Sequence, residues 1–381
     1  MCRPDGACEA IENILYVSPE GVSAGQCPQT APCEIHFAKD LANSEKSTIR
    51  LGNGTYLMSS DFIVGVATPH LSIVGGRGAV IERTAPGFAL RVVDSSLTIR
   101  GITLHKGVEC DRGSLELVRV VFDSPPSEAR PWISTVNGCT STLTESDLND
   151  STSDGIVVTT GSLTATKSAI RRSAGHGIRI ESNATSQITD SVIADNRMLG
   201  VSAIISRLGV HRSLVFGNRA GGLSSIGGTY DVTNNFVSRN GNNASAAFGG
   251  MRLESTQAGN RAAHNTIVDN NCDVNATPVL SGGFFCTGGS APNNLILDNS
   301  RGNASLENAQ TGGTCNFGGS LIAESALGFF VSLGSLTPAD YHLVAPNAAV
   351  NGGVTGNITD DIDGQARSDG MPDIGADELD L

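Results

Sequence analysis

The chain has 381 residues, 39% hydrophobic and 4% aromatic, with 46 Gly and a net charge of −13. So acidic a surface argues against nucleic acid as the main partner, because phosphate contacts need Lys and Arg. No run of about 18 apolar residues occurs, so no helix of this chain is expected to span a membrane.

Residues 1–13 are polar and read as a leader or linker. Ile14-Leu15-Tyr16-Val17 reads as a strand, and the Pro, Gly and Cys after it as a loop. Cys33, Phe37 and Leu41 fall at i, i+4 and i+8 with Ala38 and Ala42 alongside, which predicts a short amphipathic helix. A helix laid over the open end of a solenoid would cover its unpaired backbone, so residues of about 14–60 form the expected N-terminal cap. Thr48–Leu51, Gly54–Tyr56 and Leu71–Val74 then begin the coils, followed by Leu97–Leu104 and Leu115–Phe122.

From residue 141 the chain repeats. Ser146-Asp147-Leu148, Ser168-Ala169-Ile170, Ser191-Val192-Ile193 and Ser213-Leu214-Val215 recur at spacings of 22, 23 and 22. A second column keeps step through Asp154-Gly155-Ile156, His176-Gly177-Ile178, Leu199-Gly200-Val201 and Gly221-Gly222-Leu223. Two markers holding one period indicate a solenoid, in which each unit buries its apolar edge only by stacking. The segments between are short, β-branched and alternating, so the expected fold is all-β, a single-stranded right-handed parallel β-helix. Asn235, Asn265 and Asn294 extend the first column, while Asn196, Asn218, Asn240, Asn270 and Asn299 make a third file. Asn tolerates a left-handed corner, and stacked Asn side chains can hydrogen-bond along the file. The coils are expected over 14–340, with 341–381 as a C-terminal cap segment of the same domain.

Nine Cys suit an oxidising compartment and are spaced for disulfides rather than for zinc. Cys2 with Cys8 and Cys27 with Cys33 would close small loops. Cys286 and Cys315 are 29 apart, the step between Ile267 and Ile296, so they should face each other on adjacent coils. Cys110 and Cys139 pair likewise, which leaves Cys272 odd.

Both ends carry a resemblance. Tyr16-Val17-Ser18-Pro19-Glu20-Gly21, Ala31-Pro32-Cys33 and Ile49–Tyr56 look like the opening module of secreted bacterial right-handed β-helix proteins. Asp340-Tyr341-His342-Leu343, Asp361-Ile362-Asp363-Gly364, Arg367 and Asp373-Ile374-Gly375-Ala376-Asp377-Glu378 resemble their closing motif. The resemblance implies the fold of pectate lyases and polygalacturonases and a secreted or cell-surface location. It implies no reaction.

Candidate chemistry is sparse. Pectate-lyase-like enzymes place calcium-binding carboxylates and a basic residue on neighbouring coils, but the outward second-column positions here are Val157, Arg179, Ser202, Ser224 and Arg252. The nearest candidate for acid/base work is His176 one coil beyond Asp154, with Arg179 and Glu181 close by. The plainer alternative is a corner His bonded to a corner Asp, and it is preferred. Asp361, Asp363, Asp369, Asp373, Asp377 and Glu378 invite a calcium reading. With Gly364 at the sixth position of an EF-hand loop, Thr359 and Gly370 occupy its first and last positions, and the motif fails. A solvated acidic edge is expected instead, with no cofactor and no metal; calcium is the alternative.

Residues 167–261 hold eleven basic and five acidic side chains, so this segment carries +6 within a chain of −13. Arg197 and Arg219 follow successive members of the Asn file and should stack as a basic step. Since the arginines of this segment fall on several faces, a solvated face with cross-coil pairs such as Arg172 near Asp195 is preferred to a polyanion groove. Three functions follow: a non-catalytic β-solenoid binding an extracellular polysaccharide or envelope component, a polysaccharide lyase or glycoside hydrolase, or a passive stalk. Binding without turnover is the leading expectation, by a monomer. Trp132 is the one Trp, which argues against stacking on sugar by indole.

Overall fold

The computed structural model describes residues 11–123, 128–243, 245–273, 275–276, 278–302, 309–333, 340–367 and 371–379. Their regular structure is nearly all β-strand, folded as coils of a right-handed parallel β-helix whose strands form three long parallel sheets. Two compact units result, residues 1–164 and 165–381.

In the first unit the opening strand, Ile14–Val22, pairs in parallel with Thr48–Leu51. Between them lies the helix Ile35–Leu41, whose start is fixed by Glu34 accepting the amides of His36 and Phe37 at 2.9 and 3.0 Å. The helix begins two residues later than Cys33, and Ile35 and Ala38 rather than Phe37 form its buried face. Cys33 is held outside it by a disulfide to Cys27. The coils that follow alternate buried and open side chains, as in Ala79–Arg83 and Ser114–Val118. Cys110–Cys139 is also bonded. Trp132 is fully buried and donates its indole N–H to the Asn149 carbonyl at 2.8 Å. It is core, not a sugar platform.

In the second unit each coil runs through three strands, of which Thr185–Thr189, Val192–Ala194 and Leu199–Ile204 are one set. The first repeat column is the inner row of the second sheet: Ile170, Ile193, Val215, Val237, Ile267 and Ile296 pair in one register and are buried, and Ile322 continues the register as an exposed residue. The second column lines the third sheet as Ile178, Val201, Leu223, Met251 and Phe284. Cys286–Cys315 is bonded, and Cys272 is buried and free, its thiol pushed up to about 11 by burial. The Cys2 and Cys8 pairing lies outside the described residues.

The Asn files are buried ladders. Asn196 Oδ1 accepts the Ser173 amide, and Asn218, Asn240, Asn270 and Asn299 repeat the bond coil by coil until Gln310 closes the row. A second ladder runs from Ser191 and Ser213 through Asn235, Asn265 and Asn294 to Ser320. Every Asn in both is 0% exposed. Contrary to expectation, these Asn do not carry the left-handed backbone. The residue before each does: Asp195, Arg239, Asp269 and Asp298 before one ladder, Asn234, His264 and Asn293 before the other. The turn needs a left-handed residue outside and an amide inside, and one residue cannot supply both. The neighbouring Gly file has its own reason, since a Cβ on Gly177 or Gly200 would lie 2.7 Å from a ladder amide nitrogen.

Candidate functional site

The second sheet of the second unit has two edges, each built by a left-handed corner residue followed by a ladder residue. On the upstream edge the corner file is Lys167, Asp190, Arg212, Asn234, His264 and Asn293; on the downstream edge it is Arg172, Asp195, Gly217, Arg239, Asp269 and Asp298. A non-Gly residue in this region costs of order 1 kcal/mol or more, so neighbouring coils must hold these side chains in line.

The C-terminal segment lies along the upstream edge. Asn234 donates to the Asp360 carbonyl at 2.8 Å and accepts from Arg367 at 3.2 Å. Asn293 exchanges two hydrogen bonds with the backbone of Val354, and the Ala376 amide donates to Thr266 Oγ1 at 3.0 Å. Tyr341, Leu343, Ala349, Ile374 and Ala376 cover the outer side chains Phe236, Val268, Leu295 and Leu297. These strands are therefore apolar on both faces, as in other sheets covered on both sides.

Four of the tail's acidic residues are buried, which corrects the expected solvated edge, while Asp363 is exposed. Asp361 and Asp373 are 0% exposed, Asp377 4% and Glu378 3%. Their oxygens are committed to backbone amides: Asp361 takes those of Asp363, Gln365 and Glu378, Asp373 those of Asn351 and Leu379, and Asp377 that of Leu343. Arg367 pairs with Glu378 at 2.7 Å, both side chains at most 2% exposed, and donates to the carbonyls of Asp360, Gly375 and Ala376. This pair is the hub of the segment. Asp369 lies outside the described residues.

Where the upstream corner file meets the segment there is an open cleft of about 660 Å³. Lys167, Asp190 and Arg212 line one wall; His342, Asp360 and Asp363 line the other. Val192, Leu214, Phe236 and Ile362 make the apolar part. Arg212 is held by Asp190 at 2.8 Å and also by Asp360. His342 is bonded through Nδ1 to Asp340 at 2.6 Å and through Nε2 to Asp363 at 2.9 Å. Burial opposes its charge, but the Asp340 bond and the charges of Asp377, Asp363 and Asp340 outweigh it and raise its pKa.

His342, Asp363 and Asp377 offer ligand atoms within 4.8 Å of one another. Calcium fits this set poorly, since it takes six to eight oxygens (about that number) and an imidazole is no such ligand. Both ring nitrogens are also already bonded, and the other tail carboxylates hold backbone.

The remaining candidates stand elsewhere. Arg197 and Arg219 are exposed and stacked on adjacent coils beyond the downstream ladder, where the Arg219 amide donates to the Asn196 carbonyl at 2.9 Å. Neither guanidinium has an acid partner among the described residues. Some other arginines of this unit do, Arg179 with Glu181, Arg252 with Glu254 and Arg261 with Asp231, whereas exposed Arg207 has no acid partner among the described residues either. His176 Nδ1 accepts the Leu199 amide at 3.2 Å, so one ring nitrogen is spent on backbone. Asp154, in the first unit, is buried. No described helix is long and apolar enough to cross a membrane.

The cleft was hidden in the sequence because its walls come from distant parts of the chain, Arg212 and Asp360 being 148 residues apart. One signal was available: Phe236-Val237 and Leu295-Ile296-Leu297 abandon the inner-outer alternation, which marks strands covered from outside.

Residues 133–322 match the family described as right handed beta helix region. No curated protein matches the chain. Among solved structures, pectate lyase Pel9A is similar at 16% identity over 96% of each chain, with a TM-score of 0.56. A rhamnogalacturonan lyase aligns at 11% identity over 84% of this chain and 91% of its own, TM-score 0.45. The Streptococcus pneumoniae surface protein and adhesin PfbA aligns at 9% over 82% and 98%, TM-score 0.38. At these identities the likeness is one of fold.

Proposed function

We propose that this protein is an extracellular or cell-surface β-solenoid that binds acidic glycans without turning them over. The observation that carries the reading is the Arg197 and Arg219 step, two exposed guanidinium groups on successive coils with no acid partner among the described residues. A guanidinium pairs with a sugar carboxylate through two parallel hydrogen bonds, and the ladder beneath fixes the spacing of the two. Three disulfides among the described residues support an oxidising compartment. Against catalysis stands the pairing of the outward charges on the third sheet, Arg179 with Glu181 and Arg252 with Glu254.

Exposed ion pairs contribute only about 0.2–1 kcal/mol each, so binding is expected to be weak, additive along a polymer and lost with salt. A glycan array at low and moderate salt tests it with wild type and Arg197→Ala/Arg219→Ala. Acidic glycans should bind wild type at low salt and the double variant much less. Equal binding by both, or none by either, removes the arginine step. Cleavage of an array glycan, abolished by His176→Ala, would overturn the non-catalytic reading.

A further inference from the structure

The cleft against the C-terminal segment has a chemistry unlike that of the arginine step, and we propose that it binds one neutral sugar residue in pyranose form. Its volume, about 660 Å³, lies in the range of about 300–1,000 Å³ typical of small-molecule sites. Lys167, Arg212, His342 and three carboxylates line it. Arg212 pairs with Asp190 and Asp360, and His342 is bonded to Asp340 and Asp363. In either protonation state of His342 the carboxylates of the lining at least equal its cations in number, so it carries no net positive charge. Such a wall offers an anion no net attraction. It offers hydroxyl groups strong, charge-assisted acceptors and donors already fixed in place by their mutual bonds.

Two polar groups are open to a ligand. The Lys167 ammonium is exposed and has no partner among the described residues. Asp363 is half-exposed and gives one oxygen to His342, leaving the other to accept. Between them, Val192, Leu214 and Ile362 are only half-buried, an apolar floor for the C–H face of a sugar ring. A ligand apolar on one face and ringed by hydroxyls satisfies all three features. A fatty chain would leave the charged walls unpaired, and a uronate would meet three carboxylates.

The inference does not rest on the arginine step, and the experiment separates the two. Saturation-transfer NMR and calorimetry on the full chain would use methyl glycosides of neutral hexoses, an N-acetylhexosamine and a hexuronate, at low and moderate salt. At least one neutral glycoside should bind at millimolar level, unchanged by salt and by Arg197→Ala/Arg219→Ala. Lys167→Met and Asp363→Asn should each weaken it about tenfold, the loss of one charge-assisted bond. Because Asp363 also holds His342, Lys167→Met is the deciding variant, being exposed and without a structural bond. No binding by any neutral glycoside, equal binding by Lys167→Met, or salt-sensitive preference for the hexuronate would each overturn the proposal. None of these results touches acidic-polymer binding by the arginine step.

Discussion

The two edges of the second sheet use one backbone device for opposite ends. Both place a left-handed residue on the corner and a buried amide ladder behind it. Upstream, the corner side chains from Asn234 onward are short or neutral and are spent on the C-terminal segment. Downstream, the residues just beyond the ladder include Arg197 and Arg219, which are exposed and have no acid partner among the described residues. A regular corner is thus a neutral scaffold. What it does depends on whether its outward file finds partners within the chain.

The comparison breaks hardest at Arg367. Arg367→Ala leaves Glu378 charged and buried, a change costing about 3–5 kcal/mol. Residues 340–379 should then exchange amide hydrogens and yield to protease at low concentration, while the ladder amides stay protected. Protection of both regions unchanged would show that Arg367 is not the hub.

Next in size is the ladder itself. Asn265→Ala strands the Asn235 amide and removes bonds to Val232, Ala263 and Asn294, at roughly 1–3 kcal/mol per unsatisfied buried group. Chemical denaturation should show a large loss for Asn265→Ala and little for Asn242→Ala, an exposed residue. Equal losses would deny the ladder its role.

The upstream edge should also respond to pH, from two histidines acting in opposite directions. Burial and Arg367 depress the pKa of His264 from 6.5 to about 3, so its ring is neutral and accepts from Asn293. Its contribution is complete above 6.5 and falls below it, by up to about 1.4 kcal/mol per pH unit. His342 is raised above 6.5, so its contribution is complete below that value and is lost as pH rises through the folded value. Docking of the segment should therefore be tightest near pH 6.5, as followed by hydrogen exchange of residues 340–379. A monotonic profile would contradict this, and His342→Gln should abolish only the alkaline limb.

The smallest effect is on stability downstream. Arg197→Ala/Arg219→Ala removes exposed, unpaired groups and should change unfolding free energy by about 0.5 kcal/mol or less.

The repeat period exposed the coils because an inner row of Ile and Val must recur wherever strands stack, and Ile170, Ile193 and Val215 do. Cys286 and Cys315 were legible for the same reason, since 29 residues is one coil there. The fate of the acidic tail was not. A carboxylate that accepts three amides and one that solvates an edge look alike in sequence, and only the return of the chain distinguishes them. Asp361 is the clearest case. The cleft was hidden likewise, since Arg212 and Asp360 meet across 148 residues.

The claim that unpaired position, rather than net charge, makes the arginine step a binding surface is tested by one titration. An acidic polysaccharide is titrated at low salt into wild type, Arg197→Ala/Arg219→Ala and Arg179→Ala/Arg252→Ala. The last removes two charges from arginines already paired with Glu181 and Glu254. Loss of affinity confined to the Arg197/Arg219 variant is the expected result. Equal loss in both variants would contradict it, because binding would then follow total charge and not the step.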